Sequence, residues 1–115
     1  MRFSRAHRLT SDAQIRRVQR EGKLIRTKHL TVRVAASPRA HMRVGLIVPR
    51  FGHTAVARNL LKRRLREIAR LEMLPRELPY DIIVRAAEPA YRLDFARLRE
   101  EVIELLRRAA PTAAA

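Results

Sequence analysis

Cysteine is absent from this 115-residue chain, which excludes disulfides, thiolate-bound metals and a cysteine nucleophile. Tryptophan is absent too and aromatics reach only 4%, so the core must be assembled from Leu, Ile, Val and Ala, as suits helices packed on a small sheet. The three glycines, Gly22, Gly45 and Gly52, are too dispersed to build a phosphate-cradling loop. No apolar run approaches transmembrane length, and the opening "MRFSRAHRLTSDAQ" lacks the apolar stretch of a signal peptide. A cytoplasmic chain without a membrane partner is expected.

Acid is scarce where base is dense. The chain carries 26 Lys+Arg against 11 Asp+Glu, a net charge of +15. Residues 1–70 hold 19 basic and 3 acidic side chains, whereas residues 71–115 hold 7 and 8. Self-repulsion of that size calls for a polyanion, either nucleic acid or an anionic membrane surface, and puts its binding surface in the first two thirds of the chain. Lysine occurs only at positions 23, 28 and 62; the remaining basic residues are Arg, whose planar donor fork fits phosphate oxygens and stacks on bases. A GC-rich or thermophilic genome would give the same bias.

Catalytic constellations are missing as well. The hydroxyls fall at helix caps or on a strand, and acids are sparse before residue 72, so no Ser-based triad is expected. His7, His29, His41 and His53 lack metal-ligand spacing, and no carboxylate cluster suggests a two-metal nuclease. The chain is therefore expected to supply electrostatics, with no catalytic residue and no metal site of its own.

What is present reads as one domain over residues 1–110, with Pro111 stopping the last helix and residues 111–115 forming a disordered tail. Ser11 and Gln14 have capping-box spacing before a short basic helix that carries Ile15 and Val18 and ends at Gly22. Leu30, Val32 and Val34 alternate as in a half-buried strand, with a short strand before them at Leu24 to Arg26. "SPRAH" is a turn, and Val44, Leu46 and Val48 mark the next strand. Thr54 caps a long helix running to about Leu74, Ile82 and Val84 point inward from another strand, and Asp94 caps a final amphipathic helix. The order is α-β-β-β-α-β-α, an α+β fold expected as a two-layer α/β sandwich.

The stretch "ARNLLKRRLREIAR", Ala57 to Arg70, sets six basic residues against the single acid Glu67. At about 100° per residue, Leu61, Leu65 and Ile68 form a buried stripe, while Asn59, Lys62, Arg63, Arg66 and Arg70 share the opposite face. A merely solvated face usually mixes Glu with Lys or Arg; near-absence of acid favours an anionic ligand. No partner helix precedes it as a helix-turn-helix would require, and a helix beside a strand face is a common RNA-reading arrangement.

The residues Arg58 to Glu67, "RNLLKRRLRE", closely resemble the signature of the protein subunit of bacterial ribonuclease P. The likeness runs from Arg8-Leu9 through Ile15, Val18, Gly22, "HLTV" and "RVGLIVPR" to "YDIIVRAA" and the last helix. It implies a left-handed crossover around the signature helix. It also implies a partner RNA that removes the 5′ leader of precursor tRNA with Mg²⁺, the protein lowering the cost of bringing RNA to RNA. By this resemblance Arg58, Asn59, Lys62, Arg63 and Arg66, with Arg8, would contact RNA, and Arg70 is expected beside them as a cation on the same helical face. Ile15, Gln19 and Arg33 would face the leader in a cleft between the first helix and the sheet. Leu60 stands where the signature usually has Arg, with a cation instead at Arg64. The alternative is a structured-RNA binder such as a ribosomal protein, with no processing role.

Overall fold

The computed structural model describes residues 4–114, with side chains through Ala109. Three helices, α1 (Asp12–Glu21), α2 (Ala55–Ile68) and α3 (Phe95–Ala114), accompany four strands, β1 (Lys23–Arg26), β2 (Leu30–Ala36), β3 (Arg43–Ile47) and β4 (Tyr80–Ala86). Helix starts follow the sequence signals. Ser11 and Gln14 close a reciprocal capping box at α1, Thr54 Oγ1 accepts from the Ala57 N–H at 3.1 Å, and Asp94 accepts from the Arg97 N–H at 2.9 Å. Each satisfies a first-turn donor that the helix itself leaves open.

The strands form one sheet in the order β1-β2-β4-β3, antiparallel except for the parallel β3–β4 pair. The chain crosses from β3 to β4 through α2. Alternation then assigns the faces: Val32, Val34, Val44, Ile82 and Val84 join Leu61, Leu65 and Ile68 of α2 and Leu98, Val102 and Leu105 of α3 in the main core. Ile83 turns the other way and meets Leu9 and Val18, with Ile15, Ala35 and Ile47 packed around them. The expected sandwich of sheet and helices is thus formed by α2 and α3, and α1 adds a partial layer on the second face. That layer arises because β4 is apolar at consecutive positions, so both faces of the strand seek cover.

Two local expectations change. Helical geometry of the α type ends at Ile68, where a π turn (Ala69–Met73) and a 3-10 turn (Leu74–Arg76) follow in place of a helix to Leu74. Continuing the 61, 65, 68 stripe at the α period would drive Glu72 into the core. The wider turn instead buries Ala69, Met73 and Leu74 and lets Glu72 receive Arg99 Nε at 2.6 Å. Gly22 ends α1 as expected, with φ −76°; glycine is needed there because a Cβ would lie 2.4 Å from the Val18 carbonyl oxygen. The backbone of α3 passes Pro111 and stays helical to Ala114. Of the expected tail, Ala115 lies outside the described residues.

Asp81 ties α1 to the second face of the sheet. Its carboxylate is fully buried and accepts Arg43 Nε at 2.8 Å and Nη2 at 2.7 Å, while Arg17 of α1 reaches the same group from the side. The hydrogen bond to Asp81 holds the Arg43 pKa above the ordinary arginine value. Asp81→Asn should lower unfolding free energy by about 3–5 kcal/mol, because two cations lose their buried counter-charge; urea unfolding followed by circular dichroism measures it.

Candidate nucleic-acid interface

On α2 the core stripe and the basic face separate as the helical angles require. Leu61, Leu65 and Ile68 are buried, whereas Asn59, Leu60, Arg63 and Arg66 are exposed and Lys62 is half-buried. Asn59, Lys62, Arg63 and Arg66, with Val56 and Leu60, line a shallow depression of about 630 Å³. None of these four polar side chains has a hydrogen bond or ion pair among the described residues. Cations left without protein partners on a concave surface raise the local potential and favour an anion there. Leu60 adds an apolar strip beside Val56, which is 78% exposed.

Arg8 joins this surface from a distance in sequence. The N-terminal segment lies along β3 through an Arg8–Val44 bridge, with the Leu9 N–H donating to the Val44 carbonyl at 3.0 Å. The bridge buries Leu9 and leaves Arg8 exposed. Arg8, Lys62 and Arg66 then line one depression of about 170 Å³ between the N-terminal segment and α2.

The signature residue Arg58 and the neighbouring Arg70 have structural duties. Arg58 is half-buried and donates from Nε to the Val48 carbonyl at 2.8 Å, tying the first turn of α2 to the end of β3. Arg70 sits in the π turn and grips Glu67, with Nε to Oε2 at 3.1 Å. The Arg70 hydrogen bond holds the Glu67 carboxyl below its ordinary range. Arg70 therefore stands apart from the residues lining the α2 depression. Arg64, the cation beside the signature's departure at Leu60, turns away and donates to the Leu93 carbonyl at 3.1 Å.

On the second face of the sheet, α1 overhangs a cleft of about 360 Å³. Gln19 and Arg33 line it, as the resemblance implies, but Ile15 packs into the apolar seam between α1 and the sheet. Arg26, Thr31 and Arg85 complete the cleft, and sequence reasoning missed them. Each is directed away from the main core by alternation with Ile25, Val32 and Val84. Only the register, pairing Arg26 with Thr31 and Thr31 with Arg85, makes them neighbours.

Among the described residues, no group of three His, Cys, Asp or Glu side chains could hold a metal ion, and no helix is long and apolar enough to cross a membrane.

A sequence profile of the Ribonuclease P family matches residues 3–110. The chain belongs to the ribonuclease P protein family. A ribonuclease P protein component from Syntrophobacter fumaroxidans is 36% identical over 105 residues, covering 90% of this chain and 88% of that relative. Among solved structures, a Staphylococcus aureus RNase P protein mutant with defective mRNA degradation activity superposes with a TM-score of 0.84 at 25% identity, covering 91% of this chain and 89% of that one. The Thermotoga maritima RNase P protein superposes at 0.78 with 30% identity, covering 88% and 96%. This ribonuclease P protein is accordingly the protein subunit of a ribonucleoprotein, with ribonuclease P RNA as its partner.

Arg58 and Arg66 separate the fold from the surface. Arg58→Ala leaves the Val48 carbonyl without its donor and should cost about 1–3 kcal/mol of stability. Arg66→Ala, on an exposed side chain without a partner, should stay within about 0.5 kcal/mol of the parent. Parallel thermal and urea melts of the two variants check the contrast.

Proposed function

We propose that the exposed face of α2, continued by Arg8, binds ribonuclease P RNA close to where that RNA removes the 5′ leader of precursor tRNA, in the cytoplasm. The observation that carries this reading is the convergence of Lys62, Arg63, Arg66 and Arg8 around connected depressions with no acid in their lining. Two RNA segments brought together repel through their phosphates. A protein wedge of fixed cations lowers that repulsion and releases counterions from the RNA. Asn59 adds a donor and an acceptor among the cations, suited to ribose or a base edge. The chemistry of cleavage then resides in the RNA with its Mg²⁺, and this chain contributes binding and charge screening.

The second cleft is the place for the leader. Arg26, Arg33 and Arg85 offer guanidinium planes and charge in place of aromatic rings, so phosphate attraction and Arg stacking would hold a single strand there. The leader contacts proposed for Gln19 and Arg33 keep their place; Ile15 supports the wall behind them.

The purified chain should cleave no precursor tRNA by itself and should raise cleavage by its cognate RNA most strongly at low Mg²⁺. Arg66→Ala should weaken binding to that RNA by about 1–3 kcal/mol. The log–log salt slope should become shallower by roughly 0.7 to 0.9, the share of one phosphate that Arg66 no longer neutralises. Filter binding across a salt series measures both, and an unchanged affinity with intact folding would remove α2 from the interface.

A further inference from the structure

A second basic hollow, of about 340 Å³, lies at the outer edge of β3, where the N-terminal segment meets the turn between β2 and β3. Arg5, Arg8, Arg39 and His41 line it, with Arg43 and Thr10. Arg43 is already committed to Asp81. By contrast, Arg5 and Arg39 are exposed, and their side chains have no partner among the described residues.

His41 clasps the two halves of this hollow. One ring nitrogen lies 2.8 Å from the Ala6 carbonyl oxygen and the other 3.1 Å from that of Arg39. Each ring nitrogen thus lies within hydrogen-bond reach of a backbone carbonyl on one side of the hollow, and the ring donates to the carbonyl that faces its N–H. The contact sets the segment that carries Arg5 beside the turn that carries Arg39.

The hollow is not isolated. Arg8 and Thr10 also line the 170 Å³ depression, and Lys62 and Arg66 are shared between that depression and the 630 Å³ surface of α2. No Asp or Glu lines any of the three. Three concave, acid-free surfaces linked by shared cations make a continuous track, and like charges assembled in this way repel unless a polyanion lies along them.

We infer that Arg5 and Arg39, clasped by His41, form a further phosphate-binding subsite for ribonuclease P RNA, extending the interface from α2 around the edge of β3. This rests on the proposed role of α2. The RNA backbone passes over α2, crosses at Arg8 and continues to the β2–β3 turn. The contact reads phosphate rather than sequence, because arginines on a loop turn and on a single 3-10 turn present no fixed base-reading element.

The test uses the full chain and its cognate ribonuclease P RNA in a salt-titrated binding assay, with circular dichroism for folding. Arg5→Ala/Arg39→Ala should weaken binding about tenfold near physiological salt, with the salt slope reduced by roughly 0.7 to 0.9 for each arginine removed. Arg39→Glu should weaken it further by charge reversal. Arg97→Ala on α3 serves as the control for loss of one exposed charge and should change neither quantity. If the Arg5 and Arg39 variants match Arg97→Ala while Arg66→Ala still weakens binding, the second subsite is wrong and the α2 reading stands. If Arg66→Ala is also silent, the reading on which the subsite rests has failed.

Discussion

One buried carboxylate organises this molecule. Asp81 lies on β4 at the centre of the sheet and accepts from Arg43 of the neighbouring β3 and Arg17 of α1. A fully buried charge is tolerated only when it is paired and its lone pairs are used, and here three elements converge to meet that demand. Because α1 is held to the second face by this contact and by a small apolar seam of Leu9, Val18 and Ile83, it overhangs the sheet without covering it. The cleft beside Gln19 and Arg33 is the space that remains.

The second constraint is the distribution of scarce acid. Glu72, Glu88 and Glu104 pair with Arg99, Arg92 and Arg107, at or near α3 and the turn before it. Glu67 is taken by Arg70 at the end of α2. These pairings neutralise cations away from the α2 depression and leave Lys62, Arg63 and Arg66 uncompensated. Exposed ion pairs add little to stability; their consequence here is where the remaining charge stands. The exposed face of α2 is free of acid by placement as much as by composition.

Much of this was legible in the chain itself, and the limits follow from physical causes. Caps at Ser11, Thr54 and Asp94 are local chemistry, readable within four residues, and all three appear in the structure. β2 alternated clearly because one of its faces meets the main core, whereas β4 is buried on both faces. The π turn after Ile68 was not legible, since it answers to where Met73 and Leu74 must go in three dimensions. Ile15 was assigned to a cleft by resemblance, yet an Ile beside an available apolar seam packs, half-buried, against it. Arg70 shares the helical face of Lys62 on an ideal helix, but a carboxylate within reach and a change of helical pitch remove it.

The sequence by itself determined the element order, the core stripe of α2, the polyanionic partner and, through "RNLLKRRLRE", the family. These depend on periodicity and charge, which are properties of near neighbours along the chain. Tertiary structure alone decided which distant cations act together. Arg8 meets Lys62 and Arg66 because a bridge to Val44 lays the N-terminal segment along β3. Arg26 and Arg85 meet because strand register sets both opposite Thr31. Electrostatic potential depends on distance through space, and only the folded backbone fixes that distance.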